Sequence, residues 1–257
     1  MRHFLSLCIF AVLVVCAPLA QAQVQAYELQ IVIHAFNAEY REELAKANAQ
    51  LVINNPPTAG ATDFWWNRDE VRASYSTSQE NGVRTHYIFM MGGYARMQGM
   101  TVDGVIATIC HELGHGLAGS PYKEGQDGGA KISVEGQADY FAYTSCLPRM
   151  FKRLTGAKST SSASEYAEKI CSARFIQSRS DQKQYDYCLR AIQTLETEKT
   201  FFWQSTRTSV DLSIADRSVI LKTDLSADYY PSPQCRFDTM LAGILQGTRP
   251  RCWFKEE

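Results

Sequence analysis

The chain has 257 residues, enough for one domain with a sizeable hydrophobic core. Its 26 basic and 27 acidic residues give a net charge of −1 at pH 7. Because the charges nearly balance and no basic block contains interleaved aromatic residues, the composition argues against nucleic acid or an anionic membrane surface as a partner.

The first 22 residues are predicted to be a cleaved signal peptide. Arg2 supplies the positive charge, residues 4–16 form an almost continuous apolar run, and Ala20-Gln21-Ala22 gives the small-x-small cleavage pattern. The apolar run is short for a membrane span and no stop-transfer segment follows, so we expect no stable membrane insertion. A lipoprotein signal that ends before Cys16 is the weaker alternative. The sequence therefore predicts an exported protein, periplasmic or secreted.

The elements that follow predict an α+β fold that is mainly helical. A long amphipathic helix is expected from Tyr27 to about Ile53, where Asn54-Asn55-Pro56-Pro57 ends it. Val71–Ser76 and Arg84–Met91 are predicted strands, joined by a turn at Glu80-Asn81-Gly82. These strands predict a small antiparallel sheet next to the helix that comes after them.

That next helix begins at Thr101 or Asp103, either of which can cap it. After a glycine-rich connection, another helix begins near Ser133. The serine-rich residues 158–164 predict a surface linker. Two helices, a poorly patterned stretch and a final helix from about Gln234 complete the chain.

Six cysteines remain after the signal peptide, an even number that suggests disulfide bonds in an exported protein. A helical hairpin around a turn at 178–180 would bring Cys171 and Cys188 together. Cys235 and Cys252 bracket the final helix and its return, which leaves the other two as a pair by elimination. Those two are Cys110 and Cys146. Free buried thiols are the alternative, because cysteine packs well as a small hydrophobic residue.

The segment His111-Glu112-Leu113-Gly114-His115 is the strongest functional signal in the chain. Histidines four residues apart lie on one helical face, so both imidazoles can hold one Zn²⁺ while Glu112 faces the water that the ion polarises. The apolar residues 105–110 before the motif are typical of a buried active-site helix. A three-histidine site requires Gly at position 118 and His at position 121, where this chain has Ala118 and Pro121. A carboxylate must therefore complete the site.

Glu135 is the predicted third zinc ligand. It stands near the start of the helix after the motif, and Asp139 follows it on the same helical face. The Asp139 carboxylate can accept the other ring N–H of a zinc-bound histidine, which fixes the tautomer. A solvated polar edge is the alternative, although the apolar residues 141–143 argue against it.

Together the two motifs resemble those of the gluzincin zinc peptidases, in which a downstream Glu-x-x-x-Asp helix completes the site. Residues 135–142 are similar to the second motif of the HtpX and CAAX-protease group, although the membrane-spanning helices of that group are absent. In that group a later His-Pro and an Arg follow, and Tyr230-Pro231 and Arg236 stand at the corresponding spacing. The resemblance implies that Tyr230, with Arg236, stabilises the oxyanion. Loop packing and a surface cation are the alternatives for these two residues, and three other tyrosines are alternative donors: Tyr140, Tyr143 and Tyr229.

The resemblance also implies a zincin-like catalytic part over 23–157, whose cleft a helical part over 158–257 completes. Residues 85–91 would be an edge strand that binds the substrate backbone. The implied function is a zinc-dependent metalloendopeptidase with a peptide or protein substrate and one Zn²⁺ as cofactor. A zinc amidase that acts on cell-wall peptide and a catalytically silent binding or inhibitory protein remain the alternatives.

Overall fold

The computed structural model describes residues 24–125, 130–155, 163–175, 182–219 and 230–255. The predicted signal peptide and the turn at 178–180 lie outside the described residues, as does most of the predicted linker at 158–164. Within the described residues the fold is α+β and mainly helical, which confirms the predicted class.

The main sheet has three strands in the order β1-β3-β2. They are β1 (Ala49–Ile53), β2 (Ala73–Glu80) and β3 (Val83–Met90). The turn between β2 and β3 is at Asn81-Gly82, and both residues have a positive φ (52° and 81°), as a tight hairpin requires. β3 pairs antiparallel with β2 and parallel with β1.

Three predictions about this region were wrong. The first helix, α1, ends at Lys46 instead of about Ile53, because Asn48 adopts a positive φ (51°) and the apolar residues after it join the sheet as β1. The added parallel strand makes the sheet mixed instead of antiparallel. The strand predicted at 85–91 is central, since β1 covers its other side, and β2 is the edge strand.

Helix α3 (Val102–Leu117) carries the predicted metal-binding motif at 111–115 and is buried along most of its length. Thr101 is its cap, since the side-chain oxygen accepts a hydrogen bond from the Gly104 N–H at 3.1 Å. Asp103 instead binds Arg190 through two hydrogen bonds of 2.7 Å. The short helix α2 (Gly92–Ala95) precedes α3.

A two-stranded hairpin, β4 (Tyr122–Glu124) and β5 (Lys131–Ser133), leads from α3 to α4 (Glu135–Phe141). Helix α4 continues through a π-helical turn (Ala142–Cys146) into α5 (Leu147–Arg153). The remaining helices are α6 (Glu165–Phe175), α7 (Gln182–Thr206) and α8 (Pro233–Ile244).

One large hydrophobic core contains residues from both predicted parts of the chain, including Ile106 on α3 and Leu195 on α7. A smaller cluster around Trp253 packs beneath the start of α4. There a Cβ atom on Gly136 would lie 2.2 Å from the indole ring, so only glycine allows this contact. The indole thereby supports the first turn of α4, which begins at Glu135.

Three disulfide bonds join the predicted cysteine pairs, which confirms the pairing. Cys110–Cys146 links α3 to the π-helical turn after α4, Cys171–Cys188 links α6 to α7, and Cys235–Cys252 links α8 to the segment after it. Three such bonds are typical of an oxidising compartment. In the described part of the chain, no helix is both long enough and apolar enough to cross a membrane.

Candidate metal centre

Helix α3 brings His111, Glu112 and His115 together at one point. One potential ligand atom from each lies within 4.8 Å of the others. Gly114, between them, lets α4 approach closely, because a Cβ atom there would lie 2.8 Å from the Ala138 Cα. The motif glycine therefore places α4 directly against the two histidines.

The close approach of α4 places Glu135 opposite both imidazoles. Its Oε2 lies 3.4 Å from His111 Nε2, and its Oε1 lies 3.6 Å from His115 Nε2. All three side chains are nearly buried. Glu135, the predicted third ligand, thus lies opposite the two histidines that are the other predicted ligands.

The other nitrogen of each imidazole is held by the protein. His115 Nδ1 lies 2.8 Å from the Ser133 carbonyl oxygen, and His111 Nδ1 lies 2.8 Å from Asp139 Oδ1. Since a carbonyl or a carboxylate can only accept, each Nδ1 is the N–H donor. This arrangement turns both Nε2 atoms toward Glu135, and such partners commonly orient metal-binding histidines.

The environment shifts the ionisation of these groups in different directions. Burial lowers the pKa of His115 to about 4, so its Nε2 keeps a free lone pair at neutral pH. Burial also disfavours charge on His111, but the Asp139 carboxylate outweighs it and raises the pKa of His111 to about 10. Burial raises the pKa of Glu112 to about 7, and the carboxylates of Glu135 and Asp139 add to this effect.

A metal cation fits this donor set. Glu135 Oε2 is buried and has no hydrogen-bond partner among the described residues. It lies 3.4 Å from His111 Nε2 and 3.8 Å from Arg236 Nη2, while Oε1 lies 3.6 Å from His115 Nε2. A buried acceptor without a hydrogen bond costs about 1–3 kcal/mol, which a bound cation would offset. Because ligand nitrogens must be deprotonated, that cation would also displace the second proton of His111. Two imidazoles and one carboxylate are a ligand set typical of catalytic Zn²⁺.

Lys123 on β4 also belongs to the site, although no sequence pattern indicated it. Its Nζ donates to Glu135 Oε1 at 3.0 Å, and its side chain is nearly buried. The hairpin of β4 and β5 brings it back over α4. The ammonium group therefore holds the oxygen of Glu135 that lies nearer to His115, while Oε2 has no hydrogen-bond partner in the described part of the chain.

Arg236 on α8 lies behind the centre and is only 5% exposed, so the alternative of a surface cation was wrong. Its Nε and Nη2 donate to the two oxygens of Asp139, both at 2.7 Å. Its Nη1 donates to the Tyr230 hydroxyl at 2.6 Å. The guanidinium group thus connects the partner of His111 with the predicted oxyanion donor.

Tyr230 lies at the rim of the site, with 59% of the residue exposed. Of the alternative donors, Tyr140 donates instead to the Gly247 carbonyl. Tyr143 is buried, and Tyr229 lies outside the described residues. Of the three tyrosines in this set that the structure describes, Tyr230 alone lines the main cleft with Glu112.

The main cleft has a volume of about 250 Å³ and passes directly over the candidate metal residues. Residues 72–77, which include the first five residues of β2, form one wall, and β4 and β5 also line the cleft. His86, which lacks ligand spacing in the sequence, lies behind the wall, where its Nδ1 is 2.7 Å from the Tyr75 hydroxyl. A groove that runs along an edge strand can accept an extended chain.

Comparison with protein-family models, with curated proteins and with solved structures gives no match. The resemblance to the gluzincins therefore rests on the two motifs alone. Any assignment of function therefore depends on the geometry of the site, because no related protein supports one.

The disulfide bond next to His111 gives a first prediction. Replacing Cys110 and Cys146 together by alanine should lower the free energy of unfolding by about 4 kcal/mol, as chain entropy predicts for a bond between residues so far apart in sequence. Because this bond joins α3 to the segment after α4, metal affinity should also fall. Urea denaturation and zinc titration with a competing chelator measure the two effects.

The matched control is the double alanine variant of Cys171 and Cys188, which are 17 residues apart, against 36 for the first pair. It should lose about 3 kcal/mol of stability and keep its metal affinity. Equal metal affinities in the two variants would contradict a role for Cys110–Cys146 in holding the site together.

Proposed function

We propose that the protein is an exported zinc-dependent metalloendopeptidase, which hydrolyses bonds within a peptide or protein chain. The observation that carries the proposal is the convergence of His111 Nε2, His115 Nε2 and the Glu135 carboxylate beside Glu112 in an open cleft. One oxygen of that carboxylate has no hydrogen-bond partner among the described residues. The predicted signal peptide and the three disulfide bonds support export.

The chain supplies groups for each role in such a reaction. His111, His115 and Glu135 would hold the Zn²⁺, which as a Lewis acid polarises a water molecule and the scissile carbonyl. Glu112 accepts the proton of the attacking water on its carboxylate and returns it to the leaving amine nitrogen. Burial raises the pKa of the Glu112 carboxyl group above its usual value, which strengthens it as a proton acceptor.

Tyr230 is the proposed donor to the oxyanion. Arg236 Nη1 donates to the phenol oxygen, so the phenol's own hydrogen is free to point into the cleft. Although the Arg236 charge opposes it, partial burial and the nearby carboxylates raise the pKa of Tyr230 above its usual value. The phenol therefore keeps its proton and can donate it in a hydrogen bond throughout the neutral range.

The edge strand β2 supports a peptide as the substrate. Its outer side has no partner strand in the described residues, and residues 72–77 line the cleft. An extended peptide that pairs with β2 would pass over Glu112 and the metal residues. In this proposal β2, instead of residues 85–91, is the edge strand that binds the substrate backbone.

The proposal is tested with the mature protein and zinc on two substrates, casein and purified cell wall. We expect internal cleavage of casein, which a chelator abolishes and added zinc restores. Hydrolysis of cell wall alone would reassign the protein as an amidase. Bound zinc without hydrolysis of either substrate would favour a silent binding protein.

Tyr230→Phe should lower kcat by about 10²–10³-fold, because it removes one hydrogen-bond donor to the oxyanion. Zinc content should stay unchanged, and the free energy of unfolding should fall by about 1–3 kcal/mol, because Arg236 Nη1 loses its acceptor. Peptide hydrolysis rates measure the effect, and Tyr27→Phe, an exposed tyrosine on α1, is the matched control. A kcat within about twofold of the wild type would show that Tyr230 is not the hydrogen-bond donor to the oxyanion.

A further inference from the structure

A second cavity opens beside the candidate metal centre, between α3 and α7. It has a volume of about 100 Å³ and shares His111, Glu112 and Tyr230 with the main cleft. Because one water molecule needs about 10–15 Å³ of such volume, the cavity has room for a long side chain. A substrate residue next to the reacting bond could therefore extend its side chain into this space.

Glu198 on α7 lines this cavity and is only 6% exposed. Within the described ranges of the chain, the one hydrogen bond of its carboxylate is a long contact of 3.4 Å from the Thr108 hydroxyl. That hydroxyl has a single proton, and the Gly104 carbonyl accepts it at the shorter distance of 3.0 Å. The Glu198 carboxylate is thus buried without a committed donor.

No cation forms an ion pair with this carboxylate among the residues that the structure describes. The cations nearby have other partners: Arg236 pairs with Asp139 and Glu135, His111 with Asp139 and Glu135, and Lys123 with Glu135. Burial raises the pKa of Glu198 to about 7, although Arg236 and His111 act in the opposite direction. A carboxylate in this position gains most from a ligand that brings its own positive charge.

The other walls of the cavity also suit a cation. Four aromatic residues line the space: Tyr94, Tyr143, Phe201 and Phe202. Arg236 also lines it, 5.3 Å from the Phe202 ring, but its guanidinium group is held by Asp139 through two hydrogen bonds. The faces of such rings attract ammonium and guanidinium groups. The Tyr143 hydroxyl is buried and has no partner among the described residues, so it adds a free hydrogen-bonding group.

We propose that this cavity is a specificity pocket for a positively charged substrate side chain, lysine or arginine, next to the scissile bond. Glu198 is its counter-ion, and the aromatic walls hold the aliphatic part of the side chain. The inference rests on the proposed peptidase function for the reaction itself, but the binding of a cationic side chain can be measured separately.

Cleavage is measured first, on two peptides that differ only in lysine or norleucine at one position beside the cleaved bond. The wild type should show a kcat/KM about tenfold or more higher for the lysine peptide, which corresponds to one charged contact. In Glu198→Gln the ratio of the two values should fall to about one. Glu42→Gln, at an exposed position on α1, should keep the ratio of the wild type.

Binding is measured second, by calorimetry with Glu112→Gln, which separates the pocket from the reaction. Tighter binding of the lysine peptide, lost when Glu198→Gln is added, supports the pocket even if the wild type cleaves nothing. Equal cleavage of the two peptides by the wild type overturns the pocket and leaves the peptidase proposal intact. A lysine preference that survives Glu198→Gln, or no peptide binding at all, also overturns it.

Discussion

Glu112→Gln should lower kcat for peptide hydrolysis by about 10³–10⁴-fold, within the range that one acid–base group contributes. Glutamine has nearly the same shape, but it can neither accept the proton of the water nor return it to the leaving amine. The three proposed zinc ligands are untouched, because the two imidazoles and Glu135 face one another without the help of Glu112. Zinc content should therefore remain at the wild-type value.

Two measurements on the same preparation distinguish the possible roles of Glu112. Hydrolysis rates report the loss of kcat, and atomic emission reports the zinc bound. Glu42→Gln on α1 is the control for the loss of one exposed carboxylate and should behave as the wild type. If Glu112→Gln kept full activity, or lost its zinc, the assignment of Glu112 as acid and base would be wrong.

Arg236→Met should lower the free energy of unfolding by about 3–5 kcal/mol, because it removes the partner of a buried charge. Asp139 is 0% exposed and takes two hydrogen bonds from the guanidinium group. The Arg236 and His111 interactions outweigh burial and hold the pKa of Asp139 below its usual value, so the carboxyl group is ionised at neutral pH. Without Arg236, the charge would have to be buried with His111 as its only close partner.

Urea denaturation measures this loss of stability, and a double-mutant cycle shows how much of it comes from the pair of Arg236 with Asp139. Combining Arg236→Met with Asp139→Asn should recover part of the stability, since the unpaired charge is then gone. Arg68→Met is the matched control: it breaks an exposed pair with Glu70 and should cost less than about 1 kcal/mol. Equal losses for Arg236→Met and Arg68→Met would show that Asp139 does not depend on its arginine.

The sequence could predict those groups of site residues that lie on the same helix. His111, Glu112 and His115 meet because residues four apart share a helical face. Glu135 and Asp139 follow the same rule on α4. The cysteine pairs were predictable because two of them bracket short helical connections and the third pair remained.

The parts that could not be predicted depend on contacts between distant segments. Lys123 reaches Glu135 through the β4–β5 hairpin, and Glu198 reaches Thr108 from a helix 90 residues away in the chain. Neither residue stands in a pattern with the motif. The edge strand was misassigned for the same reason, since the position of β3 depends on a parallel partner from residues 49–53 that the sequence suggested were helical.

The central claim is that His111, His115 and Glu135 bind zinc. The most direct test is the zinc content of the mature, oxidised protein after dialysis against buffer with micromolar zinc. We expect one zinc ion per chain in the wild type and in the Glu42→Gln control, and none in His115→Ala or Glu135→Gln that remain folded by circular dichroism. A wild-type protein that binds no zinc, or variants that bind as much as the wild type, would contradict the claim.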